Sequence, residues 1–173
     1  MKKLFLIIFL LFCSSFNIVV ANNNIVFIDM DKVITTSKVG SSVLKQLNKL
    51  NNKNLKKLKN METELKSKET KLIAQKNILS ELEFQSSVDK LRLEINNHKK
   101  DKKKILSDFS KLKLDNTSKL LKLITPILAV YSEEKSISMI LQKKNLIIGK
   151  TELDISDEII KIVNNDIDEF KIQ

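Results

Sequence analysis

The spacing of apolar and polar residues changes character several times along this chain, and each change predicts a different element. Leu4 to Phe12 is a continuous apolar run behind Met1-Lys2-Lys3, the layout of a secretory signal peptide. Cys13-Ser14-Ser15 and Asn17 break the run before it reaches the roughly 20 apolar residues of a membrane-spanning helix. Val19-Val20-Ala21 offers the small and aliphatic residues that a signal peptidase reads, so cleavage is expected after Ala21, leaving 152 of the 173 residues. Ile25-Val26-Phe27-Ile28 then reads as a short buried strand. Asp29 supplies an N-cap for a short helix through Met30, Val33 and Ile34, and Gly40 marks a bend or loose turn.

From Leu44 the period becomes that of a coiled coil, with 3-4 spacing through Leu44, Leu47, Asn51, Asn54, Leu58, Met61, Leu65, Lys68, Leu72, Gln75, Leu79 and Leu82. Eight of these twelve slots are apolar, so the four polar ones predict a thin, wet and bendable seam. Ser80-Glu81-Leu82-Glu83 fits a capping box, which places the start of a second helix near Ser80 and the hairpin tip near 77–87, with Gln85-Ser86-Ser87 as the competing tip. A second seam follows at Val88, Leu91, Ile95, His98, Lys102, Ile105, Phe109 and Leu112. It shifts phase through Asn116 to Leu120, Ile124, Ile127 and Tyr131. An outgoing helix of about 37 residues at 1.5 Å per residue makes an arm of roughly 55 Å, too long for so small a chain to bury.

The returning helix becomes apolar on every side around Leu120, Leu121, Leu123, Ile124, Ile127 and Leu128, as expected where it re-enters a packed body. Pro126 should kink or restart it there. Beyond Ser132, alternation at Ile137, Met139 and Leu141, a polar turn over 142–145, and Leu146-Ile147-Ile148-Gly149 predict a β-hairpin. Asp154 to Glu158 opens a last helix whose buried stripe is Ile159, Ile160, Val163 and Ile167. The expected fold is therefore mostly α with a small β body, an α+β arrangement. A long antiparallel coiled-coil hairpin over 41–125 projects from a strand-containing oligomerisation body made of 22–40 and 126–173.

Composition sharpens the picture. With 30% charged residues, two glycines and one proline, the chain lacks the punctuation of a compact α/β enzyme and can sustain very long helices. The formal charge of +10 falls to +8 without Lys2 and Lys3, and it is unevenly placed. Residues 41–125 carry 21 basic and 10 acidic side chains, a net of +11, so the body is mildly acidic. Lysines on an exposed helix commonly serve solubility and local pairs such as Glu62 with Lys66 or Glu64 with Lys68. A surplus of one sign goes further and attracts acidic partners from a distance. Nearly all of it is lysine, with Arg92 the single arginine, which favours loose attraction over bidentate recognition. Nucleic acid is a poor fit, because the arms lack aromatic residues interleaved with the basic ones.

Catalytic and metal chemistry find little to build on. Cys13, the only cysteine, falls in the predicted signal, where the bulky Phe12 before it disfavours lipidation; the mature chain then has no thiol and no disulfide. His98 is the only histidine and reads as a polar seam slot. Asp29 and Asp31 could be imagined as an acid–base couple, but capping explains Asp29 more simply. Phosphate-binding glycine loops and nucleophile motifs are missing. No enzyme, metal site or cofactor is expected, and export without disulfides fits a bacterial periplasm.

In this order, Ile25-Val26-Phe27-Ile28-Asp29 after the signal, Val33-Ile34 and Ser37-Lys38-Val39-Gly40 before the arm, and Ile140-Leu141 through Asp154-Ile155-Ser156-Asp157-Glu158 resemble the Skp/OmpH family of periplasmic chaperones. The resemblance spans essentially the whole mature chain. It implies a homotrimer with helical tentacles around a cavity, and unfolded outer-membrane β-barrel proteins held there without ATP. It also implies anionic lipid or lipopolysaccharide as a partner of the basic residues. Lys53, Lys56, Lys57, Lys59, Lys99, Lys100, Lys102, Lys103 and Lys104 are the residues expected to attract clients. A structural spacer or adaptor hairpin of an envelope complex is the competing expectation, which shares the hairpin but needs no surplus of one charge.

Overall fold

A computed structural model describes residues 24–172; the expected signal segment 1–21 and its cleavage site lie outside the described residues. The elements in order are β1 (Asn24–Ile28), α1 (Met30–Thr36), α2 (Lys38–Ala74), α3 (Glu81–Glu134), β2 (Ile137–Gln142) and α4 (Ser156–Asp166), with single 3-10 turns at Lys143–Asn145 and Thr151–Leu153.

β1 and β2 pair in parallel, Val26 opposite Ile140 and Phe27 opposite Leu141. Parallel strands cannot be joined by a tight turn, so the entire helical hairpin serves as their crossover. On the other edge of β1, the Ile155 amide donates to the Phe27 carbonyl at 3.0 Å. β1 is thus flanked on both edges, and Val26, Phe27 and Ile28 are all buried, as an apolar run without alternation requires.

The expected β-hairpin after Ser132 does not form. Its first half is β2, but residues 143–145 close a 3-10 turn and Leu146 to Lys150 makes no ladder. The turn lacks the paired positive-φ residues of a two-residue hairpin loop, and β1 already occupies one edge of β2. The chain instead crosses to the opposite edge of β1, where Asp154 bridges Phe27.

Asp29 caps α1 as its sequence predicts, accepting from the Lys32 amide at 2.9 Å. Gly40 requires a correction: the bend falls at Ser37, and Gly40 is buried inside the first turn of α2. A Cβ there would lie 1.8 Å from the Ile34 carbonyl oxygen, so glycine is demanded by close approach of α1 to α2 rather than by a turn. Ser37, fully buried, ends α1 and caps α2 through the Gly40 amide at 3.3 Å.

The core sits at the foot of the arm, where Val33, Val39, Val43, Leu120, Ile124, Ile159 and Val163 meet. α3 runs unbroken through Pro126 and does not restart. α4 buries Ile159 and Val163, with Ile160 and Ile167 half-buried beside them. Its start is tied to both strands. The Asp29 amide donates to Ser156 Oγ at 2.8 Å, the Ser156 hydroxyl donates to the Asp154 carboxylate, and Lys143 Nζ reaches that carboxylate at 3.0 Å. The tail after α4 folds back on the arm's foot: Gln46 donates to the Phe170 carbonyl at 2.9 Å and accepts from the Ile172 amide at 3.2 Å.

Candidate functional site

The candidate site is the arm. α2 ends at Ala74, and α3 starts behind a complete capping box in which Ser80 and Glu83 satisfy each other's backbone amides. The reversal occupies 75–80; the competing tip at Gln85-Ser86-Ser87 lies within α3. Cross-helix ion pairs mark the antiparallel register, Lys68 Nζ with Glu94 at 2.7 Å and Lys102 Nζ with Glu62 at 2.9 Å. Lys102 lowers the Glu62 carboxyl below its usual range, first by hydrogen bonding and then by charge. Glu64 pairs with Lys68 at 3.3 Å as its i,i+4 spacing suggests, whereas Glu62 turns across the hairpin to Lys102 instead of to Lys66.

The seam is thin. Leu58 and His98 are buried in it, while Met61, Leu65, Leu72, Leu91, Ile95 and Ile105 are only half-buried. Lys68 and Lys102, counted as seam slots, extend their ammonium groups out of it to carboxylates. His98 takes the polar seam slot expected of it, and neither ring nitrogen has a hydrogen-bond partner. Its nearest charge is Glu62 Oε1, 3.6 Å from Nε2. A hollow of about 220 Å³ opens beside it, lined by Met61, Leu65 and His98 together with Glu64, Glu94 and Asp101.

All nine lysines singled out from the sequence are exposed. Because Glu62 faces Lys102 and the helices run in opposite directions, Lys53 to Lys59 and Lys99 to Lys104 stand at neighbouring levels, forming one belt across the middle of the arm. Among the described residues, Lys102 is the member of the nine held in an ion pair. The belt is therefore largely free to meet acidic groups in solvent.

Counting lysines missed a second feature of the arm. Leu55, Ile73, Leu82, Leu93, Leu106 and Leu114 project from its helices with between 43% and 83% of their surface exposed. Five of them fall outside the a and d slots that the partner helix can cover, so their signal was present in the heptads. Leu82 requires a correction: counted as the last slot of the first seam, it lies beyond the reversal in the first turn of α3, out of that register and 83% exposed.

The described residues 24–163 match the family model for outer membrane protein (OmpH-like). No curated protein matches the chain. A crystal structure from Caulobacter crescentus, described as a candidate outer membrane chaperone (OmpH-like), is similar in fold with a TM-score of 0.75 and 17% identity, over 86% of this chain and 88% of that one. At that identity the likeness concerns the fold alone. The family match, which covers most of the chain, carries the assignment: this chain belongs to the OmpH-like outer membrane protein family, the one its sequence resembles.

Proposed function

We propose that this protein is an ATP-independent holdase of the periplasm, which encloses unfolded outer-membrane proteins between basic coiled-coil arms and keeps them from aggregating. The observation that carries the reading is the exposed lysine belt on a hairpin that projects from its core, in a chain of the OmpH-like family. A surplus of ammonium groups draws acidic chains from a distance, and scattered aliphatic side chains then make many weak contacts suited to many partners. Three chains joined through their bodies would surround a client with three such arms. The proposal includes export through a signal peptide cleaved after Ala21.

The test is dilution of a urea-denatured outer-membrane barrel protein into buffer with and without this protein, followed by light scattering. Scattering is expected to fall in its presence. The protection should weaken between about 0.1 M and 1 M salt, as the screening length shrinks from roughly 10 Å to 3 Å. Unchanged scattering at every ratio would overturn the reading.

A further inference from the structure

The arm has two broad sides, and they differ. In an antiparallel pair the e positions of both helices line one side and the g positions the other, with b flanking e and c flanking g. The seams assign Leu44, Leu58 and Leu72 to a on α2, and Val88, Ile95 and Lys102 to a on α3. The observed packing agrees: Glu64, Glu94 and Asp101, all g, line one hollow together, and Lys71, Lys90 and Glu94, from g and c, line the next.

On the g and c side, residues 46–115 of the two helices carry six basic and six acidic side chains, a net charge of zero. Two of the acidic ones, Glu64 and Glu94, pair with the seam residue Lys68. On the e and b side, residues 45–113 carry seven basic and three acidic side chains, a net of +4. Between residues 45 and 115, the arm helices expose six large apolar residues: Leu55 and Leu106 fall at e, Ile73 and Leu82 at b, and Leu93 and Leu114 at f on the outer edge. None of these six falls at g or c. Leu55 and Leu106 also stand at similar heights, given the Glu62–Lys102 register.

We infer that the e and b side is the client-contacting face of the arm. Its occupant is an unfolded polypeptide carrying carboxylates beside apolar side chains, whose charge complements Lys59, Lys99 and Lys103 and whose apolar groups cover Leu55 and Leu106; Arg92 on this face is paired with Asp89 at 3.2 Å. This rests on the holdase reading. It divides the nine sequence candidates: Lys59, Lys99 and Lys103 belong to the binding face, Lys53, Lys57 and Lys104 to the balanced one, Lys56 and Lys100 to the outer edges, and Lys102 to the seam.

The test compares two triple variants with equal charge change, Lys59→Glu/Lys99→Glu/Lys103→Glu and Lys53→Glu/Lys57→Glu/Lys104→Glu, with Leu55→Ser/Leu106→Ser as an uncharged third. Circular dichroism checks that each retains its helix. Affinity for a denatured barrel protein is expected to fall about tenfold in the first and third, and within about twofold in the second. Equal losses in both charge variants would overturn the sidedness and leave the holdase reading intact, whereas a wild-type protein that binds no client sinks the holdase reading itself. A direct readout uses a photocrosslinker attached at Leu106→Cys or at Asn60→Cys, a c position. Client adducts from Leu106 and few from Asn60 support the face. The reverse pattern overturns it, and adducts with anionic vesicles in place of client would assign the face to a lipid surface and overturn the proposed occupant.

Discussion

A methyl group on Gly40 would collide with the Ile34 carbonyl, a backbone atom that no rotamer change can move aside. Gly40→Ala is therefore expected to destabilise the fold by about 1–3 kcal/mol, read from the urea midpoint. Asp154 is a residue whose effect depends on pH. Burial alone would raise its carboxyl, but hydrogen bonds from the Ser156 hydroxyl and amide and the Lys143 ammonium outweigh burial and hold it below its usual range. A carboxyl lowered in the folded state contributes stability above its unfolded pKa and loses it as pH falls through the folded one. Asp154→Asn should thus cost about 1–2 kcal/mol near neutral pH, with the gap to wild type closing in acid; urea titrations across that range check it. Tyr131 has the opposite sign. Burial first, and then the Glu158 carboxylate, push its phenol up to about 12, so its contribution persists at neutral pH and is lost only on strong alkalinisation. His98, buried with two unpartnered nitrogens, stabilises the seam less than an aliphatic residue would. His98→Leu should raise the melting temperature of the arm, measured by circular dichroism.

At the scale of elements, sequence showed most where interactions are local. The heptads from Leu44 predicted a helix of about 37 residues; α2 has that length, but it runs Lys38–Ala74, beginning six residues earlier and ending before the expected slots Gln75, Leu79 and Leu82. The Ser80–Glu83 spacing located the start of α3 because a capping box is closed by residues three apart. Ser80→Ala is accordingly expected to cost about 1 kcal/mol at the tip and to speed amide exchange in the first turn of α3, while exchange at the arm's foot stays unchanged. Gly40 was misread because what excludes a side chain there is the neighbouring helix, which residue spacing alone does not reveal. The misplaced hairpin has the same origin. Ile137 to Gln142 announces a strand, but its partner is β1, more than a hundred residues earlier, and nothing local distinguishes that pairing from one with Leu146-Ile147-Ile148. For the candidate site, the charge was visible by counting; the apolar half was implicit in the heptad slots, and the register of the two helices was needed to show which side of the arm it occupies.

At the scale of the whole molecule, the body has too few residues to bury what it carries. Ile147 and Ile148 stand out at 104% and 90% exposure, and Val130 and Met139 are more than half exposed beside a core of about a dozen residues. Two adjacent isoleucines fully in water forgo on the order of 1.5–3 kcal/mol each relative to burial. Small cores of this kind gain stability when copies associate. If the three-chain assembly proposed above forms through this surface, folding and association are linked, and the melting temperature must rise with protein concentration. The expected outcome in sedimentation is a trimer mass for the wild type, and dissociation toward monomer for Ile147→Asp/Ile148→Asp, with its melting temperature lowered and no longer dependent on concentration. The arm, whose two helices pair within one chain, as the Glu62–Lys102 and Lys68–Glu94 contacts show, should keep its helical signal in that variant at low temperature. A wild type that sediments as a monomer at every concentration would show that these side chains serve some other purpose than joining the bodies.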